Sequence, residues 1–139
     1  MNPTFIPRGY AWVSLRVADL ERSVDWYADV LDLVPMVTNS DTCAVDAIER
    51  FSYMIHTESF LMVGLHHDPA LEVGGRAGDE LELHHVAISV DADDLDAFRE
   101  QLDNAGRQPG QVTSWSYGRW FEIRDPDDNA VRFFAPDKP

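Results

Sequence analysis

The chain has 139 residues, 45% of them apolar, and carries 25 acidic against 11 basic side chains for a formal charge of -14. A chain of that length buries roughly two thirds of its unfolded surface in one core without disulfides, and no run of roughly eighteen apolar residues is present to span a bilayer. The negative field repels phosphate backbones and anionic lipid, so neither nucleic acid nor a membrane is an expected partner.

From the N-terminus, "MNPTFIPRGY" has neither the basic nor the hydrophobic stretch of a secretory signal, and the single Cys43 cannot close an internal disulfide. Both features lead to the expectation of a cytoplasmic protein. The first element is a strand: Val13, Leu15 and Val17 alternate on one face, leaving Trp12, Ser14 and Arg16 on the other. In "DLERSVDWYADVLDL" the residues Leu20, Val24, Tyr27, Ala28 and Leu31 stand at helical spacing behind an N-capping Asp19. The polar stretch from Val37 to Glu49 predicts a loop or irregular strand. Two apolar strands joined by a turn follow in "RFSYMIHTESFLMVGLHH". "HDPALEVGGRAGDELE", with Pro69, Gly74, Gly75 and Gly78, predicts a linker.

The same order then repeats. "LHHVAIS" alternates with Val86, Ile88 and Val90 inward and His85, Ala87 and Ser89 outward. "DADDLDAFREQLDNAG" sets Leu95, Phe98, Leu102 and Ala105 at helical spacing, with an Asp cluster at its positive end and Gly106 to stop it. "RWFEIRDPDDNAVRFFAP" gives a second strand pair, its turn preset by Pro126 and by Asn129, which tolerates left-handed backbone. Strand, helix, strands twice over describes one domain of two modules, about residues 8–68 and 80–137, with a linker over about 69–79. No phosphate loop, nucleophile elbow or zinc-finger spacing occurs.

These residues resemble the vicinal oxygen chelate superfamily of glyoxalase I, bleomycin-resistance proteins and extradiol dioxygenases. The likeness rests on "LRVADLERSVDWYADVLDL", "HHVAISVDADDLDAFREQLDNAG" and "YGRWFEIRDPDDNAVRFFAP", and it covers nearly the whole chain. The resemblance implies an α+β fold of two βαβββ modules forming a curled mixed sheet around a cleft, usually in a homodimer. It also implies four metal-ligand positions on the opening and closing strands, which fall here on Trp12, Gly64, His85 and Arg132. Of these only His85 can bind a cation, since indole lacks a free lone pair, glycine lacks a side chain and guanidinium stays charged. No metal or other cofactor is therefore expected.

The resemblance points instead to a metal-independent protein that holds a planar or aromatic natural product or drug. In bleomycin-resistance-like members, aromatic side chains from this part of the second module line the groove. Carried to this chain, that wall is Trp115, Tyr117 and Trp120, with Trp12 opposite and Met54, Met62 and Phe134 filling between. Aromatic pairs contribute about 0.5 to 1.5 kcal/mol each beyond burial, enough in sum for micromolar affinity. The expected polar groups of the cleft are Arg16, His56, His66, His85, Glu122, Arg124 and Arg132. Glu122 is expected in an ion pair with Arg132 or His85; as a general base, it or His85 is the catalytic candidate of a metal-free enzyme. A further alternative is a metal-dependent lyase, isomerase or dioxygenase, with a divalent transition metal on displaced ligands His56, His66, His85 and Glu122. Trp26 is expected in the core, and His66 and His67, at a strand end, in solvent.

Overall fold

A computed structural model describes residues 12–39, 50–71 and 85–137 of the chain. The first module runs β1 (Val13–Val17), α1 (Leu20–Leu31), β2 (Val34–Asn39), β3 (Phe51–Ile55) and β4 (Met62–His67). The second runs β5 (His85–Ser89), α2 (Leu95–Asn104), β6 (Thr113–Trp115), β7 (Gly118–Arg124) and β8 (Ala130–Pro136). Each forms its own four-stranded sheet, β1-β4-β3-β2 and β5-β8-β7-β6. The first and last strands of a module pair in parallel and the others antiparallel. A parallel pair needs a crossover, which the helix and two intervening strands supply. The fold is thus α+β with two βαβββ modules, although the sheet expected to curl around one cleft is two separate sheets.

Alternation and helical spacing set the buried faces. Asp19 caps α1 by accepting the Arg22 N–H at 3.1 Å, and Leu20, Tyr27 and Val30 turn inward onto β3 and β4. Val17, Val63 and Leu65 meet them from the sheet. In the second module Leu95 and Leu102 are buried, and the Phe98 ring lies 4.8 Å from Phe133. Each fully buried aliphatic or aromatic side chain stabilises the fold by about 1.5–3 kcal/mol. The helix α2 ends as expected at Gly106, φ 76°, with the Arg107 N–H donating to the Leu102 carbonyl at 2.9 Å. Trp26 is half-buried at the margin of this core, edge-on to Tyr27 at 4.7 Å.

Three expectations are corrected. Met54 is fully buried under α1 instead of filling the cleft, because β3 pairs with β4 so that Met54 stands beside Val63, on the helix side. The left-handed residue of the last turn is Asp128, φ 63°, while Asn129 is buried. His66 and His67 are half-buried rather than in solvent. Periodicity also marked only two strands after each helix. The missed ones, β2 and β6, are edge strands whose described side chains are exposed, and β2 carries Pro35 at a register shift. The expected linker and module boundary lie largely outside the described residues.

The turn between β7 and β8 joins the modules. The Asp127 carboxylate accepts the Ala18 N–H at 3.0 Å and pairs with Arg22 at 3.5 Å. Tyr27 donates its hydroxyl to Asp125 at 2.7 Å, and the Asn129 amide reaches the Arg16 carbonyl at 3.4 Å. Arg107, just after α2, is hydrogen-bonded to Asp29 of α1. Beneath this seam, buried residues of both modules form one continuous core.

Candidate ligand-binding site

The outer face of the second sheet is built in rows. Glu122 stands across from Arg132 and Ala87, and Trp120 across from Phe134 and Ser89. Alternation fixes this, since Val86, Phe121, Ile123, Val131 and Phe133 point the other way, into the core. Small Ala87 and Ser89 leave room beside tall aromatic neighbours. The result is a cavity of about 290 Å³ lined by Ala87, Ile88, Ser89, Trp115, Trp120, Arg132 and Phe134. That volume falls just short of the usual small-molecule pocket, roughly 300 to 1,000 Å³. The Trp115 ring stands 6.0 Å from Trp120 and 6.2 Å from Phe134.

Charge enters the cavity through Arg132. Its guanidinium lies 4.4 Å from the centre of the Trp120 ring, within cation–π range. Its Nε donates to Glu122 at 2.8 Å, while the other Glu122 oxygen accepts from Arg124 at 3.2 Å. The expected pairing of Glu122 with Arg132 is present, and both carboxylate oxygens are engaged by guanidinium groups. Arg124 also donates to the Asp128 carbonyl at 3.2 Å, which braces the cluster against the turn. The Trp120 Nε1 is enclosed and has no acceptor among the described residues.

The first sheet carries a different cluster. Trp12 stacks edge-on to Tyr53 at 5.9 Å, and Tyr53 meets Phe51 at 5.4 Å and His66 at 5.6 Å. The Tyr53 hydroxyl and His66 Nε2 are 3.4 Å apart. Tyr53 lies over Gly64, where a Cβ would come within 2.7 Å of the ring. Tyr53 and Phe51 escaped the sequence reading because "FSYMI" is apolar on both faces; only the pairing with β4 tells which face meets the helix.

The candidate residues therefore separate. Trp115, Trp120, Arg132 and Phe134 converge on one cavity with Glu122 behind Arg132. Met62 and His66 belong to the first sheet and Trp12 stands just ahead of its strand β1, and none of them lines that cavity. Tyr117, 78% exposed, sits at the tip of the β6–β7 hairpin and does not line it either. Arg16 is exposed and paired with Asp68 at 3.5 Å. The His56 ring caps its own turn, its Nδ1 accepting the N–H groups of Glu58 and Ser59 at 3.2 and 3.1 Å, and it borders a separate hollow beside α2. His85 opens β5 opposite Ala130, and its side chain lies outside the described residues.

A divalent metal does not suit the donors at the four implied positions. Trp12 offers no lone pair, Gly64 no side chain, and Arg132 is cationic and held by Glu122. Among the described residues no three His, Cys, Asp or Glu side chains are grouped to hold an ion. None of the described helices is long and apolar enough to cross a membrane.

The model of the Glyoxalase/Bleomycin resistance protein/Dioxygenase superfamily matches residues 9–133. Among solved structures, a glyoxylase/bleomycin resistance protein/dioxygenase domain from Frankia sp. EAN1pec is 26% identical. It has a TM-score of 0.69 over 95% of this chain and 100% of that one. TnmS3, an antibiotic binding protein from Streptomyces sp. CB03234, is 18% identical with a TM-score of 0.69, covering 96% of this chain and all of its own. A variant of FosX, a fosfomycin resistance protein from Listeria monocytogenes complexed with Mn(II) and 1S,2S-dihydroxypropylphosphonic acid, is 14% identical. Its TM-score is 0.69 over 95% of each chain. None of the curated proteins compared with the chain matches it.

Proposed function

Because the chain belongs to the glyoxalase/bleomycin resistance protein/dioxygenase superfamily, we propose that it binds and sequesters a planar or aromatic small molecule, a natural product or drug, without a metal and without altering it. The observation that carries this reading is the cavity walled by Trp115, Trp120 and Phe134. Trp115 stands edge-on to Trp120 and tilted to Phe134, so the wall offers both ring faces and ring edges to a flat ligand. The donors at the implied metal corners favour the metal-free form. The likeness to TnmS3, whose name describes antibiotic binding, lends support through the shared fold.

The protein acts in this reading as a cytoplasmic homodimer. Exposed Trp12 and Trp115, 52% and 56% accessible in the single chain, favour a covering partner. The test is titration of the chelator-treated protein with a panel of planar polycyclic molecules, followed by tryptophan fluorescence and by chromatography of the recovered ligand. Quenching with the ligand returned intact is expected, and Trp115→Ala should weaken binding by about tenfold, the loss of one to two stacking contacts. Product formation, or binding that appears only when metal is restored, would overturn the reading.

A further inference from the structure

The charge of the cavity selects among planar ligands, and we infer that it takes an aromatic carboxylate, its ring against Trp115 and Trp120 and its anionic oxygens on the Nη groups of Arg132. This inference rests on the reading of the cavity as a planar-ligand site. Among the described residues that line the cavity Arg132 is the charged one, and the other polar groups are the Ser89 hydroxyl and the indole N–H groups of Trp115 and Trp120. The guanidinium is fixed on two sides. Trp120 covers one face at 4.4 Å, and Glu122 holds Nε at 2.8 Å. Neither Nη nitrogen has a protein acceptor among the described residues, so donors remain in the planar arrangement that matches a carboxylate.

The local charge balance agrees. Two guanidinium groups, from Arg124 and Arg132, share the single Glu122 carboxylate, which leaves this cluster net positive on an otherwise acidic chain. The diffuse negative charge of the molecule does not cancel this at contact distance, because exposed charges beyond about 8 Å are largely screened at physiological salt. Apolar walls work in the same direction, since a charge-assisted hydrogen bond strengthens where water is excluded. Glu122 does not compete for the ligand's place: its oxygens are occupied by Arg132 Nε and Arg124.

Calorimetric titration with 2-naphthoate and with its neutral isostere 2-naphthamide tests this. The intact protein should bind naphthoate roughly ten- to hundredfold more tightly than naphthamide, the range for hydrogen bonds to a charged group. Arg132→Met should erase that preference, leaving naphthoate bound no more tightly than naphthamide. Arg132→Lys, which keeps a charge but loses the planar fork, should retain only part of the preference. Equal affinity of the intact protein for both probes overturns the inference and leaves the planar-ligand reading standing. Binding of neither probe removes that reading and the inference together. A full preference surviving in either Arg132 variant shows that another group recognises the anion and overturns the assignment to Arg132.

Discussion

Two glycines decide how closely neighbouring parts of each module approach, and they differ in what a methyl group would strike. At Gly64 a Cβ would meet the Tyr53 ring at 2.7 Å, the outer part of a half-buried side chain that can swing aside. At Gly118 it would meet the Ala135 carbonyl oxygen at 2.3 Å and the Pro136 Cα at 2.9 Å, both backbone in the neighbouring strand β8. Overpacking costs about 1–3 kcal/mol where the surroundings must move. Thermal melts should therefore show Gly118→Ala the more damaging of the two, with Gly64→Ala nearer the lower end. The reverse order would mean that the first sheet is the more rigid at this point. Residue identity alone also misplaced Met54: an apolar side chain in an amphipathic-free strand suits either face, and the Met54–Val63 pairing chose the core.

At the level of elements, the helices were legible because capping and spacing act within a few residues. Asp19, the apolar stripe of α1 and the stop at Gly106 all operate locally, and each is where the pattern puts it. The end of α1 departs from the usual solution. Asp32 takes the left-handed conformation there, φ 57°, where glycine has no Cβ to clash. The left-handed region costs an L-residue roughly 1–2 kcal/mol, part of which glycine forfeits again through its freer unfolded chain. Asp32→Gly should therefore stabilise the protein by about 0.5–1 kcal/mol in chemical denaturation. A destabilised variant would show that the Asp32 side chain makes a contribution beyond its backbone shape.

Across the whole molecule, the seam between the modules is polar and buried, which ties its strength to pH. Burial raises the Asp125 carboxyl above its ordinary 3.8, a shift partly offset by hydrogen bonds from Asn129 and Tyr27 and from the backbone of Asn129 and Asp127. Burial likewise pushes Tyr27 well above its ordinary value, beside Asp125, so its hydroxyl stays a donor throughout the working range. A carboxyl whose folded value is raised contributes stability that is complete below its unfolded value and lost as the pH climbs through the folded one. The melting temperature of Asp125→Asn, which does not titrate here, should therefore fall further behind the parent protein as the pH drops from 7 toward 4. A deficit that stays constant or narrows would contradict the raised value. Tyr27→Phe should cost about 1.5–3 kcal/mol, the range for a hydrogen bond to a charged acceptor, and a loss below 0.5 kcal/mol on that same scale would show that water replaces the hydroxyl at the seam.

The sequence by itself determined the repeated strand–helix–strands order, both helices with the start of the first and the end of the second, the inward face of most strands and the presence of a guanidinium where the resembled family places a metal ligand. These follow from interactions between residues close along the chain, or from the chemistry of a single side chain. Tertiary structure alone decided that Trp12 and His66 gather around Tyr53 at another sheet, apart from the cavity that Trp120, Arg132 and Phe134 share. It also decided that the last turn fastens one module to the other, through contacts such as Tyr27 with Asp125. Those outcomes depend on strand register and on the docking of segments about a hundred residues apart. Alternation names the two faces of a strand, but the partner across the ladder determines which face meets the helix and which neighbours each side chain receives.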